Sequence, residues 1–223
     1  KSEDAYFKYV QGGNGMLYEY IINNYVPNEV ILASELKACG KSDAAIRREL
    51  KKLTDAGKIR RYDQGIYYLP KMTIFGVEAA PNSNAIVEKK YLKANDEYIG
   101  YISGIGLANS LGLTTQSAAV IEIVSNKATR DYRETKLGQI GIILRKPKVL
   151  ITTENAKVLQ FLDLIKDIDT YLEISVAETR QRLLNYMQAV GLSFAMLKPY
   201  FKYYPSRIYQ NLYEMGLMDC VYA

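Results

Sequence analysis

One stretch of the sequence constrains the fold more tightly than the rest: an amphipathic helix with a clear beginning and end. Ser42 is a good N-cap, and Asp43 places a negative charge in the first helical turn. Gly57 supplies the left-handed residue that commonly ends a helix. Ile46 and the leucines that follow it recur at helical spacing, which predicts one buried face. We therefore expect a helix over residues 43–56, about 21 Å long.

The residues around this helix predict the rest of a small domain. Helical segments precede it over residues 16–26 and around residues 34–38. Residues 58–69 follow it as a β-hairpin whose turn has the sequence Asp-Gln-Gly. Helix, short helix, capped helix and hairpin come in the order of a winged helix-turn-helix. We expect this domain to span residues 16–71, after a flexible segment over residues 1–15.

Positive charge is concentrated in the same domain. Residues 41–61 carry eight basic and three acidic side chains, a net charge of +5, which equals the net charge of the whole 223-residue chain. Most of the basic side chains of the helix lie opposite its apolar face. We predict a DNA-binding surface formed by the helix and the hairpin, with these candidate contacts: Lys41, Ser42, Ala44, Arg47, Arg48, Lys51, Lys52, Arg60, Arg61, Tyr62 and Gln64.

The predicted helix has the right size for the major groove of B-DNA. That groove is about 12 Å wide, and a helix inside it presents side chains to the base edges. The hairpin would lie beside the adjacent backbone, where Arg60 and Arg61 would neutralise phosphates. The alternative is that the domain docks a protein partner instead of DNA. The sequence also leaves open whether one copy or a homodimer occupies the DNA.

Composition excludes several kinds of active site. The chain has no histidine, which excludes Ser-His-Asp triads, Cys-His dyads and zinc sites with histidine ligands. Cys39 and Cys220 cannot form a four-cysteine zinc site, and two cysteines fit a reducing compartment. No apolar run has the length of a membrane span, and no signal-peptide pattern opens the chain. We expect a cytoplasmic protein with no membrane partner, no metal and no cofactor.

The middle of the chain predicts a compact α/β region over about residues 72–150. A strand over residues 98–102 leads into a helix over residues 103–111, which begins with Ser-Gly-Ile-Gly. A dinucleotide-binding fingerprint would need a third glycine where this chain has Asn109. We therefore predict that the glycines allow close helix–sheet packing and do not bind a cofactor. Further strands are predicted over residues 119–124, 130–132 and 138–144.

Residues 151–223 predict a helical tail, which would join the α/β region in a second domain over residues 72–223. Basic and aromatic side chains alternate in residues 198–209, as they do at nucleic-acid-stacking surfaces and Tyr-rich interfaces. We favour core packing for these aromatic rings, because the chain contains 20 tyrosines and some of them must cluster. The predicted fold class is α+β: an N-terminal winged helix-turn-helix, then a mixed α/β domain with a helical C-terminal part.

An enzyme is the third hypothesis that the sequence raises. Asp163, Asp167 and Asp169 are close in sequence and would be candidate metal ligands. On a helix, however, Asp169 points away from the other two, so the three carboxylates would not share one ion. We expect no catalytic residues and no enzymatic activity.

Three segments of the sequence resemble a known family. They are ASELKACGKSDAAIRRELKKLTDAGKIRRYDQGIYYLPK at residues 33–71, SGIGLANSLGLTTQ at residues 103–116 and VIEIVSN at residues 120–126. Together they resemble AbiEi-type antitoxins, the transcriptional regulators of abortive-infection, type IV toxin–antitoxin systems. The resemblance covers about residues 16–150 and does not extend into the helical tail.

The resemblance implies a protein with two functional parts. Its winged helix would bind double-stranded DNA at the promoter of its own operon and repress transcription. Its C-terminal portion would neutralise a nucleotidyltransferase-like toxin without forming a stable complex with that toxin.

Overall fold

The computed structural model describes residues 16–218, and the chain is α+β, which confirms the predicted class. Residues 1–15, where a flexible segment is predicted, lie outside the described residues, as do residues 219–223. Backbone packing divides the chain after Lys89. We call residues 16–89 unit 1 and residues 90–218 unit 2, and we describe each by itself.

The first part of unit 1, residues 16–68, contains three helical segments and a small antiparallel sheet. In chain order, its first elements are α1 (Met16–Asn24), β1 (Ile31–Leu32), a 3-10 helix (Glu35–Cys39), α2 (Asp43–Asp55), β2 (Arg60–Asp63) and β3 (Ile66–Tyr68). Strands β2 and β3 form a hairpin, and β1 pairs with β3, so the strand order is β1-β3-β2. The predicted order of elements is therefore present.

Helix α2 begins and ends close to the predicted residues, because its signals are local. The Ser42 side chain accepts a hydrogen bond from the Ala45 backbone N–H at 3.4 Å. The helix ends at Asp55, one residue earlier than predicted, and Ala56 is its C-cap. Gly57 follows with a φ of 70°, in the left-handed region that glycine adopts without strain.

The core of unit 1 fixes the orientation of α2. Ile46, Leu50 and Leu53 are buried against Leu17 and Ile21 of α1 and other apolar residues of the same cluster. Burying one such side chain stabilises the fold by about 1.5–3 kcal/mol. The opposite side of α2 therefore faces solvent.

Residues 71–89 belong structurally to unit 1. They form a ribbon of β4 (Lys71–Met72) and β5 (Glu78–Ala79), the short helix α3 (Ser83–Val87) and the start of a π-helical turn (Glu88–Leu92). Two ion pairs connect them to the preceding elements, Arg60–Glu78 at 2.9 Å and Lys89–Glu35 at 3.3 Å. The division between the two units thus follows residue 89, and a winged helix-turn-helix domain that ends at residue 71 stays a prediction.

Unit 2 is built on a four-stranded mixed sheet. Its strands are β8 (Gly100–Ser103), β9 (Val120–Ser125), β10 (Tyr132–Leu137) and β11 (Ile140–Arg145), in the order β10-β11-β9-β8. Strands β9 and β11 pair in parallel, and the other pairs are antiparallel. A two-stranded hairpin, β6 (Lys93–Ala94) with β7 (Glu97–Tyr98), precedes the sheet.

Helices complete unit 2. They are α4 (Gly104–Ser110), α5 (Ala156–Lys166), α6 (Val176–Ala189), α7 (Phe194–Leu197) and α8 (Arg207–Glu214), with 3-10 helices at Ile168–Thr170 and Lys198–Tyr203. Helix α5 is the central one, since eight of its eleven residues are buried. Gly104 lies where α4 comes close to β9. A Cβ added at this position would stand 2.5 Å from Glu122 Oε1. This contact supports the packing interpretation for Gly104, whereas a Cβ added at Gly106 would make only an ordinary contact with Ile102 at 3.6 Å.

A carboxylate from the tail holds the loop that follows α4. Glu173 accepts hydrogen bonds from the backbone N–H of Thr115 at 2.6 Å, the Thr115 hydroxyl at 2.7 Å and the Gln116 amide at 2.9 Å. These bonds stabilise the ionised carboxylate, the backbone bond most of all, and lower the pKa of Glu173 from 4.5 to about 2.

The lowered pKa of Glu173 predicts a pH-dependent contribution to stability. A depressed folded-state pKa stabilises the fold above pH 4.5, and this contribution is lost as the pH falls towards 2. We expect Glu173→Gln to lower the melting temperature at pH 6. The difference in melting temperature between wild type and variant should become progressively smaller between pH 4.5 and pH 3. Thermal unfolding across this range measures the difference, with Glu97→Gln as the control. A difference between wild type and Glu173→Gln that does not change with pH would contradict the prediction.

Candidate nucleic-acid interface

Helix α2 carries four cations on its solvent side: Arg47, Arg48, Lys51 and Lys52. All four are exposed, and within residues 16–218 none of them forms an ion pair. Their spacing places them in two rows, because residues four apart lie on the same side of a helix. Arg47 and Lys51 form one row, and Arg48 and Lys52 form the other.

The row of Arg47 and Lys51 borders a cleft between α2 and the β2–β3 hairpin. We call this space the α2–hairpin cleft; its volume is about 720 Å³. Its lining comes from α2, from the hairpin and from the end of β1: Ala33, Arg47, Leu50, Lys51, Thr54, Asp55, Arg61, Gln64, Gly65 and Tyr67. Three cations therefore line one concave surface, with Asp55 as its acidic member.

Strand pairing separates the two hairpin arginines. Arg61 is opposite Tyr67 and Arg60 is opposite Tyr68, and successive strand residues point to opposite faces of the sheet. Arg61 and Tyr67 line the cleft, whereas Arg60 does not. The Arg60 guanidinium instead donates from Nε to both carboxylate oxygens of Glu78, at 2.9 and 3.1 Å, and from Nη1 to the Gly57 carbonyl at 2.8 Å.

Arg60 and Arg61 are both predicted to contact phosphates, but the structure gives them different surroundings. We expect Arg60→Ala to lower stability, because it removes the ion pair that connects the hairpin with β5, and to leave the salt dependence of DNA binding unchanged. Arg61→Ala is the matched variant, with the opposite outcome: a flatter salt dependence and an intact fold. Titrations at several salt concentrations, together with thermal melts, measure both. An equal loss of salt dependence in the two variants would contradict the assignment.

The other candidate contacts are partly engaged within the unit. Lys41 forms an ion pair with Glu49, and Ser42 caps α2. Ala44 and Gln64 are exposed, and Tyr62 is half-buried. The structure thus brings Arg47, Arg48, Lys51, Lys52, Arg61, Ala44 and Gln64 to accessible positions, while Lys41, Ser42 and Arg60 have partners inside unit 1.

Sequence reasoning missed two acidic residues near this surface. Asp55 lines the cleft, and its position on α2 beside Lys51 was a signal available from helical spacing. Glu78 holds Arg60 from 18 residues away, and no local pattern points to that pairing.

The three aspartates considered for an enzyme all have partners in unit 2, and Asp163 and Asp167 share Lys166. Asp163 accepts a hydrogen bond from the Tyr101 hydroxyl at 2.6 Å, and burial raises the pKa of Asp163. Asp167 pairs with Lys166 at 3.1 Å, and Asp169 pairs with Arg207. Among the residues that the structure describes, no group of three or more acidic or cysteine side chains is arranged to hold a metal ion.

The basic and aromatic segment of the tail is divided between core and surface. Phe201 and Tyr204 are buried, whereas Tyr203 and Tyr209 are 41% and 47% exposed. Core packing, which we predicted for this segment, therefore applies to some of its rings and not to others.

Comparison with known proteins finds no matching family model and no matching curated protein. Over residues 16–218, no helix combines the length and the apolar character that crossing a membrane requires.

Proposed function

We propose that unit 1 is a winged helix-turn-helix that binds double-stranded DNA, with α2 as the recognition helix, and that the chain represses transcription from its own promoter. The observation that carries the proposal is the set of exposed cations on α2 and the hairpin, which form no ion pairs within residues 16–218. Cations that form no internal pairs are available to phosphates and base edges.

The location of the charge adds further support. The excess positive charge of the chain falls within residues 41–61, and these include α2 and the first half of β2. A basic helix beside a basic hairpin is the electrostatic footprint expected of a DNA-binding unit. The antitoxin part of the proposal rests on the resemblance to AbiEi-type antitoxins: unit 2 would counter a nucleotidyltransferase-like toxin.

The direct test is a gel shift with the purified full chain. The probe is the DNA immediately upstream of its own gene, and a coding fragment of equal length is the control. We expect a shift of the upstream fragment that survives an excess of unlabelled coding DNA. Equal binding to both fragments, or to neither, would count against a repressor of this promoter.

A second candidate function, docking of a protein partner, is favoured by one observation. Ile74 and Phe75 are 94% and 84% exposed at the turn of the β4–β5 ribbon. Exposed apolar side chains in adjacent positions are typical of contact sites. If Ile74→Ser with Phe75→Ser abolished repression in cells without changing DNA affinity, this second function would be supported.

A further inference from the structure

The α2–hairpin cleft has cations on both of its walls. Arg47 and Lys51 line it from α2, and Arg61 lines it from β2. Arg61 is oriented by a hydrogen bond from its Nε to the Asp63 carbonyl at 3.3 Å. The cleft is a concave, positively charged surface, unlike the convex outer side of α2, where Arg48 and Lys52 lie.

The geometry of B-DNA gives such a cleft a specific occupant. The major and minor grooves are separated by one sugar–phosphate strand on each side. A helix in the major groove and a hairpin beside it would therefore stand on either side of one strand. We infer that the α2–hairpin cleft clamps a single sugar–phosphate strand of the duplex, and that Asp55 marks the end of the phosphate path. This inference rests on the proposed DNA-binding function.

The clamp divides the cations of unit 1 by role. Arg47, Lys51 and Arg61 contact phosphates from two sides and carry no sequence information. Arg48 and Lys52 lie on the outer row, which enters the major groove and contacts base edges. Lys51 is therefore a phosphate contact, although it belongs to the same helix as the base-reading residues.

Asp55 gives the cleft a boundary. Its carboxylate is exposed, lines the cleft and forms no ion pair within residues 16–218. It also lies at the C-terminal end of α2, where the helix dipole is already negative. A phosphate near this end would meet repulsion from both sources, so Asp55 weakens DNA binding whatever the base sequence.

Asp55→Asn is the sharpest test, because it predicts a gain that a misfolded variant could not produce. We expect affinity to rise about two- to five-fold for upstream and shuffled DNA alike, because one repulsive charge is removed. Glu97→Gln is the matched control: it changes the net charge by the same amount from unit 2 and should leave affinity within error. If Asp55→Asn gained no more than Glu97→Gln, the clamp would be wrong.

The salt dependence of binding provides the second arm. Arg47→Ala and Arg61→Ala should each reduce the slope of log affinity against log salt by about 0.9, equally for all sequences. Arg48→Ala should keep the slope and reduce discrimination between upstream and shuffled DNA by about 5- to 150-fold. Reversed results for the two rows would overturn the inference and leave DNA binding standing. Failure of the wild type to bind either DNA would end both proposals.

Discussion

A chain with Arg47, Arg48, Lys51 and Lys52 all replaced by alanine is expected to lose affinity for its upstream DNA by at least about 1,000-fold. Arg48 and Lys52 would lose base-edge contacts at about 1–3 kcal/mol each, and Arg47 and Lys51 would lose charge-assisted phosphate contacts. Four lost contacts at about 1 kcal/mol each already reach that factor. Fluorescence anisotropy with labelled upstream DNA measures the loss.

The same four-fold variant should remain folded. All four side chains are exposed, and none of them belongs to the buried face formed by Ile46, Leu50 and Leu53. Alanine also has the highest helix propensity, so the substitutions do not weaken α2. An unchanged circular dichroism spectrum and melting temperature would confirm this.

A matched control separates the DNA surface from the general effect of charge. Four exposed cations of unit 2, replaced together by alanine, remove the same net charge: Lys127, Arg130, Lys136 and Lys146. We expect this control to weaken binding by less than about ten-fold, through long-range steering alone. Equal losses in the two four-fold variants would refute α2 as the recognition helix.

The second large effect concerns the two units expressed separately. Residues 16–89 are expected to bind the upstream DNA, because that fragment contains the α1–α2 core and both ion pairs that connect residues 71–89 to the preceding elements. Residues 90–223 are expected to protect cells from the toxin, because the resemblance assigns neutralisation to the C-terminal portion. Each fragment should lack the other activity.

Co-expression of each fragment with the nucleotidyltransferase-like toxin that the proposal assigns to the same operon tests this division through colony survival. The toxin is placed under an unrelated promoter, so that repression cannot protect the cells. The full-length variant with four alanines on α2 should protect the cells and fail to repress transcription. It therefore separates the two activities in an uncut chain, where the folding of a fragment plays no part. Protection by residues 16–89 alone would place neutralisation in unit 1, and the assignment of unit 2 would have to be abandoned.

Several features of the fold follow from signals that lie within a few residues of each other. Helix α2 could be predicted to within one residue, because its cap, its apolar spacing and its closing glycine are all local. The sequence predicts strand β10 less accurately: the predicted range is residues 130–132, and the strand runs over Tyr132–Leu137. It is an edge strand whose side chains are mostly exposed, so the alternation of apolar and polar residues that marks a half-buried strand is missing.

The sequence by itself determined that the net positive charge of the chain falls within residues 41–61 and that α2 carries much of it opposite a buried face. The tertiary structure decided which of those charges are available. Arg60 and Arg61 are neighbours of the same chemical type, yet strand alternation and Glu78 give one an internal partner and leave the other in the cleft. Glu173 likewise binds Thr115 across 58 residues. Such pairings depend on which strands and loops become neighbours after folding, and short-range residue patterns carry no information about that.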